Sequence, residues 1–178
     1  MFFDLLKKRR SIRKYINKKI EKEKVDMIIK SALMSPSSRG RRPWEFVLVE
    51  DRDLLEKLSN CREHGSQFLK EAALAVVVLA DPDKCDVWIE DASIASLIIQ
   101  LTAHSLDLGS CWIQVRERYK NEFQKTEDYI KELLDIPPDY CVESIIAIGY
   151  PGEEKEAHDE NNLSMDKVHY NKYNIKYS

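Results

Sequence analysis

Lys8-Arg9-Arg10-Ser11-Ile12-Arg13-Lys14-Tyr15 and, about 20 residues further on, Ser35-Pro36-Ser37-Ser38-Arg39-Gly40-Arg41-Arg42-Pro43-Trp44-Glu45-Phe46 are the stretches that decide how this chain is read. The first places three guanidiniums and a hydroxyl within five residues, a set suited to gripping a phosphate bidentately. The second is a polar Ser/Gly loop that stops at Pro43-Trp44 and runs into the apolar Phe46-Val47-Leu48-Val49. Backbone N–H groups and hydroxyls in such a loop suit a flat polar ligand at the edge of a sheet. Together the two stretches point to a phosphorylated, planar cofactor.

At 178 residues the chain fits one domain, 1–178, with room for a real core. A composition of 43% hydrophobic and 33% charged residues is that of an ordinary globule, not a disordered chain. No apolar run reaches the roughly 18 residues of a membrane span. The N-terminus puts its apolar Phe2, Phe3, Leu5 and Leu6 ahead of Lys7 and Lys8 and has no small-residue cleavage site, unlike a signal peptide. Cys61, Cys85, Cys111 and Cys141 stand 24 to 30 residues apart, outside zinc and CxxC spacings. They read as reduced thiols of a cytoplasmic protein, with no metal site. Net charge is −3 but uneven: residues 7–14 and 39–42 are basic, and 152–160 is mostly acidic, read as a solvated loop. A nucleic-acid arm would accompany its basic cluster with a reader motif and a basic body; this chain has neither.

Helices are expected at Phe2–Lys8, at Glu21–Met34, where Val25, Ile28, Ile29, Ala32 and Leu33 recur at helical spacing, at Asp51–Ser59 and around Phe68–Ala73. Asp86–Leu106 is the longest candidate, apolar nearly all round, and such a helix is covered on more than one side. A last helix is expected over Thr126–Leu134. Strands are expected at Phe46–Val49, Ala75–Ala80, Cys111–Val115 and within Val142–Tyr150. Strands and helices without a βαβ rhythm argue for a layered α+β domain. No G-x-G-x-x-G is present. The ring-rich tail from Leu163 onward reads as a segment that docks on something, a partner subunit being the natural candidate.

Four elements in order, Arg9-Arg10-Ser11-Ile12-Arg13, Ser35-Pro36-Ser37-Ser38 ahead of Pro43-Trp44-Glu45-Phe46, Leu108-Gly109-Ser110-Cys111-Trp112-Ile113 and Ile148-Gly149-Tyr150-Pro151, resemble the nitroreductase family of flavin mononucleotide (FMN) enzymes. The resemblance spans roughly residues 5–155. It implies a central, mostly antiparallel four-stranded sheet flanked by helices, in an intertwined homodimer with FMN sites at the interface, each built from both chains. Arg9, Arg10, Ser11 and Arg13 would hold the phosphate and ribityl end and the polar edge of the ring. Pro36, Ser37, Ser38 and Arg39 would reach the flavin from the other subunit. Ile113 and Gln114 would run beside the ring, a backbone N–H meeting N5. The Asp86–Leu106 helix would form the dimer core, and the tail of one subunit would add an edge strand to the other. A basic residue near the C-terminus usually completes the phosphate clamp; Lys155, Lys167 and His169 are open to that role, with Lys155 placed first. Ser66 or Gln67 is the nearest candidate for a ring-edge amide. Gly40, Arg41 and Arg42 stand where the family often has Asn or Gln, and the extra arginines suit an acidic substrate or a nicotinamide phosphate.

The implied activity is reduction of nitroaromatics, quinones or a related small electrophile by NAD(P)H in a ping-pong hydride transfer. The flavin carries that chemistry, so no catalytic acid–base residue is assigned. Arg13, then Arg10, are the cations placed to stabilise negative charge on the ring. A flavin sensor or store without turnover, and a sibling chemistry such as reductive dehalogenation, are the alternatives.

Overall fold

The computed structural model describes residues 1–177. Its helices are α1 (Phe2–Lys8), α2 (Lys22–Leu33), α3 (Arg52–Ser59), α4 (Trp88–Ser105) and α5 (Thr126–Leu133); its strands are β1 (Trp44–Val49), β2 (Leu74–Ala80), β3 (Gly109–Gln114), β4 (Tyr119–Asn121), β5 (Gln124–Lys125) and β6 (Cys141–Gly149). The main sheet runs β1-β2-β6-β3 with every pairing antiparallel.

Helices cover both faces of this sheet. Val76, Val78, Ile146 and Ile148 meet Ile28 and Ala32 of α2 and Ala92, Ile99 and Ala103 of α4. Ala75, Val77, Ile145 and Ala147 meet Leu55 and Leu58 of α3 and Ile130 of α5. A strand buried on both faces has no reason to alternate, and β2 is buried at every residue. Asp51 starts α3, its carboxylate accepting the Leu54 N–H at 2.9 Å. α4 is covered by the sheet and α2 but leaves Ile94 and Leu97 at 39% and 47% exposure.

The expected elements are present, with ends shifted by a few residues. The segment around Phe68 is a 3-10 turn, Gln67–Glu71, rather than an α-helix. The β4–β5 hairpin lies outside the sequence reading; its strands are too short to show a period, and Asn121 closes its turn by accepting the Phe123 and Gln124 N–H groups. The tail is ordered as two 3-10 turns and an isolated bridge between His169 and Lys176.

Between α1 and α2 the chain crosses the sheet's end in extended form. Ile12 N–H bonds the Ser110 carbonyl at 3.0 Å, Ile16 N–H the Tyr150 carbonyl at 3.0 Å, and Gly152 N–H the Lys14 carbonyl at 2.8 Å. Gly109 and Gly149 face each other across β3 and β6, and their missing side chains make room for this crossing. A Cβ on Gly109 would stand 2.8 Å from Ile12 Cγ2, and one on Gly149 2.8 Å from the Tyr15 ring. The Tyr15 hydroxyl donates to the Ile12 carbonyl at 2.6 Å, locking the segment's turn. Gly149→Ala is expected to destabilise the protein by about 1–3 kcal/mol through overpacking against a buried ring, read as a lower urea midpoint.

Candidate functional site

Side chains of an extended segment alternate between faces, and the basic residues divide accordingly. Arg9, Ser11 and Arg13 gather about Cys111, whose thiol is pushed up by burial while Arg13, a hydrogen bond from Ser11 and Arg9 pull it down. Arg10 and Ile12 instead line a hollow of about 360 Å³ with Lys8, His104, Gly109 and Lys155. The Arg10 guanidinium donates to the Glu156 carbonyl. His104 is pushed down by burial and by Arg9 and Lys8, against Asp107.

The acidic stretch is a strap rather than a free loop. Glu160 pairs with Lys7 at 2.6 Å, and the His158 N–H bonds the Lys7 carbonyl at 2.9 Å. Glu153 accepts the Arg13 N–H at 2.7 Å and pairs with Lys155 at 3.0 Å. That backbone bond, with Lys155, holds the Glu153 carboxyl below its ordinary value. Glu153 and Lys155 both face the Arg10 hollow and a second one, of about 400 Å³, lined by Arg13, Gln67 and Phe68. Lys155 is therefore the C-terminal cation beside the arginines. Lys167 lies in an exposed 3-10 turn, and His169 packs against Tyr173 with ring centroids 4.5 Å apart and the planes tilted by 52°.

β3 is an edge strand. Val115 N–H bonds the Glu143 carbonyl at 3.1 Å, so alternate backbone groups, at Ser110, Trp112 and Gln114, turn outward. The outward Ser110 carbonyl takes the Ile12 N–H, and the outward Gln114 carbonyl faces Arg62 Nη1 at 3.4 Å. The outward N–H groups of Trp112 and Gln114 bond no other described segment. Ile113 is buried, so only backbone from its neighbourhood reaches a ligand. The Gln114 side chain is held from behind: its Oε1 accepts the Trp112 indole N–H at 2.9 Å, and its Nε2 faces Glu143 Oε1 at 3.4 Å.

Glu143 is the extra residue of a β-bulge, since Leu79 and Val78 pair with Val142 and Ser144. Its carboxyl is 4% exposed, and Oε2 has no partner among the described residues. Burial raises its pKa, opposed by Gln114, Arg116 and Ser93.

The serine loop is pinned from below. Asp91, a carboxylate only 3% exposed on α4, accepts the Ser38 N–H at 2.9 Å and lies 3.5 Å from the Cys85 thiol. Ser37 Oγ accepts the Arg42 N–H at 3.0 Å. Arg39, Gly40 and Arg42 all hold positive φ, so the loop doubles back on itself. Pro36 is exposed. Ser38, Arg39 and Arg41 line a separate hollow of about 510 Å³ with Asp83 and Asp86, and Arg41 lies 3.7 Å from Asp86. One chain thus puts the two basic stretches on different clefts. Of the ring-edge amide candidates, Ser66 is buried and donates to the Ser59 carbonyl at 2.7 Å, whereas Gln67 lines the Arg13 hollow with its side chain bonded to Gly65 N–H and the Glu63 carbonyl.

Asp91, Glu153 and Arg62 were not singled out from sequence. Asp91 carried a signal, a carboxylate inside an apolar helix. Glu153 was masked by its acidic neighbours, and Arg62 by a loop without periodicity. Among the described residues no group of His, Cys, Asp and Glu is arranged to hold a metal, and no helix is long and apolar enough to cross a membrane.

Comparison with known proteins places this geometry. The model of the nitroreductase family matches residues 6–61 and 58–150. A solved FMN-dependent nitroreductase from Clostridium difficile R20291 superposes with a TM-score of 0.95 at 54% identity, over 96% of this chain and 99% of that one. An Archaeoglobus fulgidus protein provisionally named NADH dehydrogenase/NAD(P)H nitroreductase is 36% identical over 170 residues, 93% of this chain and 94% of its own. Iodotyrosine deiodinase of Thermotoga neapolitana is 24% identical over 97% of this chain and 99% of its own length.

Two outcomes follow from the buried carboxylates. Asp91→Ala strands the Ser38 N–H, costing about 1–3 kcal/mol and speeding amide exchange at Ser38, whereas Asp91→Asn keeps an acceptor and stays near the parent. For Glu143 the raised pKa means that folding favours the neutral acid. That stability is complete below the ordinary value of 4.5 and is lost as pH rises through the higher folded-state pKa. Melting temperature should therefore fall over that rise in the parent, and Glu143→Gln should remove this component.

Proposed function

This chain belongs to the nitroreductase family, and on that premise we propose that it is an FMN-dependent oxidoreductase using NAD(P)H to reduce nitroaromatics, quinones or a related small electrophile. The observation that carries the reading is the junction of a basic extended segment with a half-open strand edge. Arg9, Ser11 and Arg13 stand at one end of β3, and outward N–H groups at Trp112 and Gln114 continue along it. A phosphate-bearing, flat, acceptor-edged ligand matches both parts.

FMN supplies the hydride and electron transfer when bound. Arg9 and Ser11 would hold its phosphate and sugar end and Arg13 the polar edge of the ring, with Lys155, set by Glu153, as the further cation. The Gln114 N–H, without a backbone partner among the described residues, would donate to the ring edge. Arg13, its backbone fixed by Glu153, places positive charge where the ring gains electrons. Arg10 serves the strap in this arrangement, its guanidinium being bound to the Glu156 carbonyl.

The site is completed in a homodimer. Ser38 and Arg39 line a cleft apart from the arginine segment within one chain, so we assign them, with Pro36 and Ser37 of the same loop, to the partner's cofactor. Ile94 and Leu97 on α4 and Phe2 and Phe3 on α1, 65% and 48% exposed, are the apolar surface that pairing would cover. Residues 1–178 form one FMN-binding domain, and four free thiols suit a cytoplasmic setting.

Reductive dehalogenation is the second reading, favoured by the full-length likeness to iodotyrosine deiodinase. Halide release from a halogenated phenol under reduced nicotinamide separates it from nitro or quinone reduction.

The purified protein should carry a flavin spectrum, with FMN identified by mass after heat release, and should oxidise NADPH only with menadione or nitrofurazone present. Flavin without acceptor-dependent turnover would make it a store or sensor. Arg13→Ala should weaken FMN binding about 10- to 100-fold, the worth of a charge-assisted hydrogen bond; parent-like affinity would remove Arg13 from the site. Leu97→Glu should give monomers by analytical ultracentrifugation and lose FMN with them.

A further inference from the structure

Arg62 sits in the loop after α3 and is half-buried, yet it forms no ion pair among the described residues. The loop is shaped around it. Its carbonyl receives Ser66 Oγ at 3.5 Å and Gln67 Nε2 at 3.4 Å. Gly65 turns the loop at φ +88°, a conformation that L side chains rarely adopt, with Arg62 Nη1 beside it. The guanidinium points across to the outward Gln114 carbonyl, 3.4 Å from Nη1. The same residue's N–H also turns outward and is unclaimed. A fixed positive charge and a free donor therefore share the far end of the β3 edge, opposite to the end held by Arg9, Ser11 and Arg13.

A half-buried cation without a counter-ion carries a desolvation cost. Its charge is complementary to an electron-rich ligand edge lying along β3. We propose that Arg62 is a further residue of the cofactor site, which favours the reduced over the oxidised flavin at the Gln114 end of the strand. This rests on the FMN reading above and assigns Arg62 a role in tuning rather than in phosphate binding. The rival is purely structural: Arg62 only closes the loop onto β3.

Charge and hydrogen bonding separate the two. Arg62→Gln keeps donors toward the Gln114 carbonyl and removes the charge; Arg62→Lys keeps the charge and loses the fork. The readouts are FMN affinity, by fluorescence titration of apoprotein, and the flavin midpoint potential of the reloaded protein. Apoprotein melting is followed alongside, and Arg62→Met repeats the neutral case. With the charge gone, reduced FMN should lose about tenfold more affinity than oxidised FMN, a potential about 30 mV more negative for a two-electron couple. Arg62→Lys should stay near the parent. A neutral variant at the parent's potential, or a lysine variant shifted as far as glutamine, overturns the proposal. A parent that takes up no FMN removes the flavin reading itself and Arg62's role with it, a result distinct from either.

Discussion

The absence of two side chains, at Gly109 and Gly149, is the constraint on which the rest of this molecule depends. They face each other across the last two strands of the sheet, and Ile12 and Tyr15 lie where their Cβ atoms would be. Any other residue there would lift the N-terminal segment off the sheet's end. With the segment seated, its backbone pairs with Ser110 on one side and Tyr150–Gly152 on the other. The position of every basic group that follows comes from that seating, because an extended chain fixes which side chains point together.

Charge then decides what holds the segment down. Ion pairs at a surface are weak one by one, but here they alternate with backbone bonds along the whole strap. Lys7 meets Glu160 and His158 N–H, Arg10 meets the Glu156 carbonyl, and Arg13 N–H meets Glu153. The strap satisfies backbone groups without using the guanidiniums of Arg9 and Arg13, the two proposed to meet the cofactor. Pairing Glu153 with Lys155 rather than with an arginine serves the same end. A basic cluster read alone resembles a nucleic-acid arm; held by an acidic strap beside Cys111, it becomes one wall of a compact site.

Much of this was legible in the residues, and what was not has physical reasons. β2 announced itself as an apolar run because both its faces are covered, and α2 and α4 by their periodicity. The motif Arg9–Arg13 gave the basic end of the site, but not its division into faces, since that depends on which residues rest on Gly109 and Gly149. The acidic stretch is exposed as its residues read, apart from half-buried Glu153, but its bonds to the N-terminal segment were not legible, because sequence shows sign but not partner. The serine loop was recognised, yet its anchor Asp91 lies 53 residues away, a separation no local pattern carries. Of the two ring-edge amide candidates, Gln67 lies in the hollow beside Arg13 while its side chain also bonds its own loop, and Ser66 is buried on the Ser59 carbonyl, a division that position in the sequence does not carry.

An edge strand is a hazard, because its free N–H and C=O groups invite another chain. This fold deals with β3 in three different ways along its length. Ser110 is covered by Ser11–Ile12, the Gln114 carbonyl by Arg62, and the strand is ended by the Glu143 bulge, whose one carbonyl collects both Val115 and Arg116 N–H groups at 3.1 and 3.2 Å. What stays uncovered is a short interval at Trp112 and Gln114. An interval of that length is too short to template a strand, yet it is flanked by positive charge at both ends. A flat anion-bearing ligand matches such an edge, as the proposed function requires, and Glu143 lies buried at the bulge beside Gln114 rather than on the open side. The same features that protect the sheet from association thus define the ligand it accepts.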